Sequence, residues 1–277
     1  IIFRNIPNLK LKVEYPLYNN INTRYYSFIN NITPIFQVIK GKNYKDKYSK
    51  DYFIDNSNKE LSEYNIFDYT RYSGKDYSDY GTRFVMGLSG VSAINNINSH
   101  DQGGSCYLDF FIGKEFNKYN KNLKENGDFV GNFSLTFNDN SHFIYRFRKD
   151  SNFSSILDET GFSFIFPSTR INLLHSSLRN INKYYSDDVK LEENSINQVK
   201  LDLSYDFTDK INIGFNSRFN LDRKIDLLYK EFSLSYLHEC ASFTFSIFDD
   251  YTSDKERGVH KINKKYGFTI GLKVLNM

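Results

Sequence analysis

Tryptophan is absent from these 277 residues, and cysteine and methionine occur twice each and proline four times. Two cysteines, Cys106 and Cys240, are too few for a disulfide-framework fold. No stretch approaches the ~20 consecutive apolar residues of a membrane-spanning helix. Charge of one sign is also lacking: 36 Lys and Arg against 33 Asp and Glu leave a net +3, too balanced for a nucleic-acid partner. No charged-then-apolar signal segment follows Ile1, so the chain is expected to start mid-protein, with its targeting signal unreadable here. No His/Cys cluster has metal-ligand spacing. His238-Glu239-Cys240 are adjacent residues at a strand end and cannot all face one ion. No metal, cofactor or catalytic residue is expected.

Aromatics, in contrast, abound, with 26 Phe and 22 Tyr. That load, with so little proline, suits many strands rather than helices. In residues 266–275, Tyr266, Phe268, Ile270, Leu272 and Val274 alternate with Gly267, Thr269, Gly271 and Lys273, which makes one face of a strand apolar and the other small or polar. The same alternation places Phe129, Phe133, Leu135 and Phe137 against Val130, Asn132, Ser134 and Thr136. It recurs in 199–207, 211–219 and 243–247. The spacing predicts about thirteen strands, near 8–15, 25–40, 83–95, 104–116, 128–138, 142–149, 158–166, 169–180, 197–207, 211–221, 227–238, 241–250 and 263–275. Connections nearly alternate between tight (139–141, 167–168, 208–210, 239–240) and long (41–82, 117–127, 150–157, 181–196, 251–262), with 222–226 intermediate. The segment 96–103 is longer than that scheme wants.

Repeated period-2 segments of about ten residues with sorted connections are the signature of an antiparallel transmembrane β-barrel, which also abolishes sheet edges that lipid cannot satisfy. The polar face is rich in Gly, Ser and Asn with isolated charges such as Lys200, Asp202, Arg146 and Arg218, suiting a wet lumen. A general outer-membrane porin or other barrel channel shares this alternation. A soluble or surface-adhesin sandwich is a further alternative, separated by whether the protein stays folded without detergent.

The stretch "NIFDYTRYSGKDYSDYGTRFVMGLSG" (65–90) resembles the long loop and following strand of the LptD family of lipopolysaccharide (LPS) assembly proteins. Asn65, Phe67, Arg71, Tyr72, Ser73, Gly74, Asp76, Gly81 and Arg83 match the family form, and Met86-Gly87-Leu88 stands where Tyr-Gly-Leu is usual. "LKVEYPL" (11–17), "NITPIFQVI" (31–39), "FIYRFRKD" (143–150) and "FSLSYLHECASFTFSIFDDYTSDKE" (232–256) resemble further family segments, in order, as does "YGFTIGLKVL" (266–275). Trp and Glu of the upstream strand pair are missing.

The resemblance implies that 1–277 is one partial barrel domain, the C-terminal half of a larger barrel, without the family's N-terminal jellyroll and first barrel strands. It implies an outer-membrane location and no catalysis. Its partners would be LPS, surrounding outer-membrane lipid, an LptE-like lipoprotein plug, and a periplasmic bridge reached through the jellyroll. Cys240 stands where the family pairs a barrel cysteine with one in the jellyroll. The last strand, with Tyr266, Gly267, Phe268, Ile270, Gly271 and Leu272, is a candidate wall of a lateral gate. Glycine interrupts side-chain packing and weakens a strand. In the loop, Asp68, Asp76 and Asp79 are a weak calcium signal. Arg71 and Arg83 flank them, so pairing with these acids would fold the loop inward as part of a plug. Cys106 reads as an unpaired, buried small residue.

Overall fold

The computed structural model describes residues 8–41, 61–68, 81–96, 106–118, 127–138, 140–179, 195–221, 226–238, 241–254 and 259–272. Alternation has its expected consequence: among the described residues the chain is strand and turn, with no helix. The strands are β1 (Asn8–Glu14), β2 (Leu17–Asn22), β3 (Tyr26–Gly41), β4 (Gly81–Asn96), β5 (Cys106–Lys118), β6 (Phe129–Phe137) and β7 (Ser141–Lys149). They continue as β8 (Ser155–Ile165), β9 (Thr169–Leu178), β10 (Ile196–Thr208), β11 (Ile211–Asn220), β12 (Asp226–Leu237), β13 (Ala241–Asp254) and β14 (Val259–Leu272). All lie in one sheet in sequence order, except that β1 and β2 both pair with β3.

β2 is the strand that alternation missed. β1 ends with Glu14 opposite Ile35, and pairing resumes with Leu17 opposite Ile32. Between them Pro16 has no amide to offer the ladder, and the Tyr15 amide donates to the Pro34 carbonyl at 3.2 Å. One long edge strand is thereby cut in two. Two connections are also shorter than expected. Residues 150–154 close β7 onto β8, and only 255–258 separate β13 from β14. The ladder runs on where the apolar alternation stops, setting Asp249 opposite Lys264 and Thr252 opposite Lys261. Backbone pairing does not require apolar side chains once a strand has left the apolar band, so hydropathy cut these strands short.

Contacts divide the chain into two compact units, residues 1–135 with 145–157, and residues 136–144 with 158–277. Within the second unit, register collects the apolar positions on one face. Leu203, Phe215, Phe232, Ile247 and Tyr266 form one row, and Tyr205, Ile213, Leu234, Phe245 and Phe268 the next. The opposite face carries Ser204, Gly214, Ser233, Ser246 and Gly267 in one row, beside Asp206, Asn212, Ser235, Thr244 and Thr269. The apolar face is not covered: Phe232 and Phe245 are exposed, and so are Tyr266, Phe268 and Ile270.

Within the first unit the same parity holds. Phe36 is 52% exposed while its neighbours Ile35 and Gln37 are 7% and 2% exposed. Phe84, Met86 and Leu88 lie open on that apolar face, as do Leu9, Leu11 and Val13 of β1. The other face is not the uniformly small and wet surface that the sequence suggests. It carries Ile35, Val85, Phe111 and Val130, which form a buried cluster with Leu61 and Ile66.

Candidate functional site: a loop docked on the inner face

Leu61 and Ile66 belong to the connection between β3 and β4, so the cluster is sealed by a loop rather than by a second sheet. Residues 61–68 hold their own shape. The Ser62 carbonyl accepts from the amides of Asn65 (3.2 Å) and Ile66 (3.0 Å), and the Asp68 amide donates to the Asn65 carbonyl at 2.9 Å. The Asn65 side chain closes the turn by accepting from the Ser62 amide at 2.8 Å. Asn and Ser favour such local bonds over a ladder. The turn projects Ile66, 0% exposed, into the cluster.

A flat place is needed for this approach, and two glycines provide it. Gly87 and Gly113 are cross-strand partners on β4 and β5. A Cβ at Gly87 would come within 2.7 Å of Phe67 Cζ, and one at Gly113 within 3.0 Å of Ile66 Cδ1. Phe67 then packs edge-on against Phe111, with centroids 5.7 Å apart.

Polar groups fasten the loop at its carbonyls. The Phe67 carbonyl accepts from Lys10 Nζ (2.8 Å) and from Gln37 Nε2 (2.9 Å), and the Asp68 carbonyl accepts from the Arg83 guanidinium. Lys12 Nζ lies 5.1 Å from the Phe67 ring centroid. Arg83 and Glu115, both buried, stand 3.9 Å apart. On the far side Arg146 Nε lies 2.9 Å from Glu63 Oε1, and its guanidinium donates to Tyr64 Oη at 2.7 Å. Arg148 makes a 2.7 Å ion pair with Asp128. Beside the loop is a cavity of about 280 Å³ lined by Asn31, Thr33, Glu63, Tyr64, Asp109 and Asn132, among others. Its lining mixes these polar side chains with Val91, Phe110 and Phe111, it leaves the buried Asn132 Oδ1 without a protein hydrogen bond, and it is roomy enough for several waters.

Arg83 therefore reaches the main chain of Asp68 and, among the described residues, stands beside the Glu115 carboxylate. Of the family-motif residues, Asn65, Phe67 and Arg83 are in this assembly, and Gly81 opens β4. Arg71, Tyr72, Ser73, Gly74 and Asp76 lie outside the described residues, as does Asp79. So does Cys240. Cys106 starts β5 as a free, half-buried thiol. Of the last-strand candidates, Tyr266, Phe268 and Ile270 are on the exposed apolar face. Gly267 sits opposite Ser246, Gly271 opposite Ser242 and Leu272 opposite Ala241. Sequence reasoning missed Lys10, Gln37 and Arg146 as partners of the loop, Glu63 and Tyr64 as the loop residues that Arg146 holds, and Glu115 as the neighbour of Arg83. Parity alone could have placed Lys10, Gln37 and Glu115 on the loop-bearing face, but not against it.

An apolar face this wide on an antiparallel meander has no place in water, and the class it defines is the outer-membrane β-barrel. Within that class, the family model for LptD, LPS transport system D, matches residues 2–239, well over half of the chain, and the chain belongs to that family. The family is one of LPS transport and assembly rather than of enzymes. A search of curated proteins finds no match to the chain.

Proposed function

We propose that this chain is the C-terminal portion of one outer-membrane barrel that inserts LPS into the outer leaflet. In this reading the sugars cross a wet lumen, the acyl chains remain in the membrane, and the lipid leaves sideways through a seam beside β14. No reaction is catalysed. An LptE-like lipoprotein fills part of the lumen, and a jellyroll elsewhere in the full-length protein receives LPS from the periplasmic bridge.

The observation that carries this reading is the in-register separation of faces over β10–β14, with Ser, Gly and Thr rows opposite Phe, Leu and Ile rows. β14 is an end strand of the sheet, so its outer backbone edge must find a partner. Each unpaired backbone group in lipid costs several kcal/mol. A seam that opens for lipid must be weaker than its neighbours, and Gly267 and Gly271 in β14 supply less side-chain packing than a typical strand pair.

The test is cross-linking in cells that require LPS. Cysteines at Gly271 and at its neighbour on the first strand of the full-length barrel should block LPS delivery and be lethal. Cysteines at Asp202 and Asn216, cross-strand partners on β10 and β11, should be harmless. Intact LPS delivery with the terminal seam locked would move the gate elsewhere. High single-channel conductance of the purified full-length protein, with no effect of the lock, would favour the porin alternative. Cys240 is proposed to bridge to the jellyroll. Non-reducing electrophoresis of the full-length protein should show a band shift for Cys240→Ser and none for Cys106→Ser.

A further inference from the structure

Lysines on the apolar face need an explanation, and two of them sit together at one end of β5–β7. Lys114 shares the exposed side of β5 with Ile112 and Phe116, both open to the surroundings. Its Nζ lies 4.0 Å from the ring centroid of Phe129 and 5.0 Å from that of Phe116. Lys149, at the end of β7, has its Nζ 5.9 Å from the Phe147 centroid. Among the described residues neither ammonium has a carboxylate partner. Ring faces attract a cation but accept no full hydrogen bond, so the N–H donors of both remain available to an anion.

The connection beside them is built rigidly. The Asp150 carboxylate accepts from the amides of Asn152 (2.8 Å) and Ser154 (2.9 Å). The Phe153 amide donates to the Asp150 carbonyl at 3.0 Å, and the Asp150 amide to the Ser154 carbonyl at 2.9 Å. These bonds hold Phe153 at φ 62°, a left-handed conformation that a bulky side chain rarely adopts. The result is an exposed Phe153 stacked on Phe129 at 4.4 Å. An aromatic is thus kept open to the surroundings against local preference, stacked on the ring that Lys114 covers and four residues along the chain from Lys149.

We propose that this end of the apolar face of β5–β7 is a docking site for the phosphorylated headgroup of a membrane lipid. Lys114 and Lys149 hold the phosphate, and Phe116, Phe129 and Phe153 lie at the boundary between headgroup and acyl chains, where aromatic girdles sit. The proposal rests on the barrel reading above, because only a membrane places acyl chains on this face. It involves no residue of the docked loop or of β14. A soluble phosphate is the lesser fit, since the ammonium groups emerge from an apolar surface rather than a polar pocket.

The test uses the full-length protein, delipidated in neutral detergent and titrated with phosphatidic acid or phosphatidylcholine, with bound lipid counted by native mass spectrometry. Phosphatidic acid should bind saturably and more tightly than phosphatidylcholine. Lys114→Gln and Lys149→Gln should each weaken it roughly fivefold, while Lys114→Arg and the polar-face variant Lys200→Gln leave it unchanged. Equal binding of phosphatidic acid by wild type and the double Gln variant overturns the proposal, as does its full displacement by millimolar inorganic phosphate. Insertion into phosphatidylcholine nanodiscs is scored separately. Protein that inserts yet shows no preference for phosphatidic acid refutes this site alone, whereas protein that never inserts refutes the barrel reading beneath it.

Discussion

The two units differ in where their apolar side chains go. In residues 1–135 with 145–157, every buried hydrophobic residue of the described chain is found: Ile35, Ile39, Leu61, Ile66, Val85, Phe111, Val130 and Ile156. In residues 136–144 with 158–277 the same kinds of side chain stay open on one face, and the other face is lined by Ser, Gly, Thr and Asn. Both units use the same antiparallel strands. One source of the difference is an eight-residue stretch, 61–68, laid on one face of the first unit, where it seals the cluster of Ile35, Val85, Phe111 and Val130. It teaches that this cluster is not the ordinary sheet-on-sheet core of a sandwich, but the footprint of a connection laid back on its own sheet.

Removing one member of the buried charge pair should break that contrast most severely. Glu115→Ala removes a buried carboxylate 3.9 Å from the Arg83 guanidinium, and breaking a buried pair in this way costs about 3–5 kcal/mol. Limited proteolysis in detergent should then cut within 61–68, while the second unit keeps its protection. Unchanged resistance of the loop would mean that Arg83 and Glu115 do not fasten it.

The exposed face of the second unit offers the complementary test. Ile270→Arg near mid-membrane should cost roughly 2–4 kcal/mol, and Thr269→Arg on the polar face should be tolerated. Urea unfolding of the full-length protein in lipid vesicles measures both. Similar losses at the two positions would remove the lipid-facing assignment of β14.

Smaller effects sharpen the picture. Gly87→Ala places a Cβ against Phe67, and overpacking of this kind costs about 1–3 kcal/mol. Protease sensitivity of 61–68 should rise without loss of the barrel's heat-modifiable migration in electrophoresis. Gln37→Leu deletes one of two donors to the Phe67 carbonyl and should cost about 1 kcal/mol. Its effect should nearly vanish once Ile66→Ala has already freed the loop, because the two substitutions act on one contact.

Much of the fold was legible in the sequence for a physical reason. Alternation in 199–207, 211–219 and 243–247 has only one extended solution when one face must avoid water, and register follows from it. What escaped was set by backbone rather than by hydropathy: the break at Pro16, the continuation of β13 and β14 into charged segments, and the tight 150–154 connection organised by Asp150. The loop motif pointed to Asn65, Phe67 and Arg83, but not to their partners. Lys10 and Gln37 are far from it in sequence, and what they grip carries no side-chain signature.

That grip has a consequence for genetics. Lys10, Gln37 and Arg83 hold carbonyl oxygens of residues 67 and 68, atoms that every amino acid possesses. Saturation mutagenesis at Asp68 will therefore score as permissive to all but proline, which lacks the amide that donates to Asn65, even though the position anchors the loop. A single-residue insertion or deletion within 66–68 shifts the oxygens themselves. Indels, not substitutions, are the class of change that should reveal this contact in a screen.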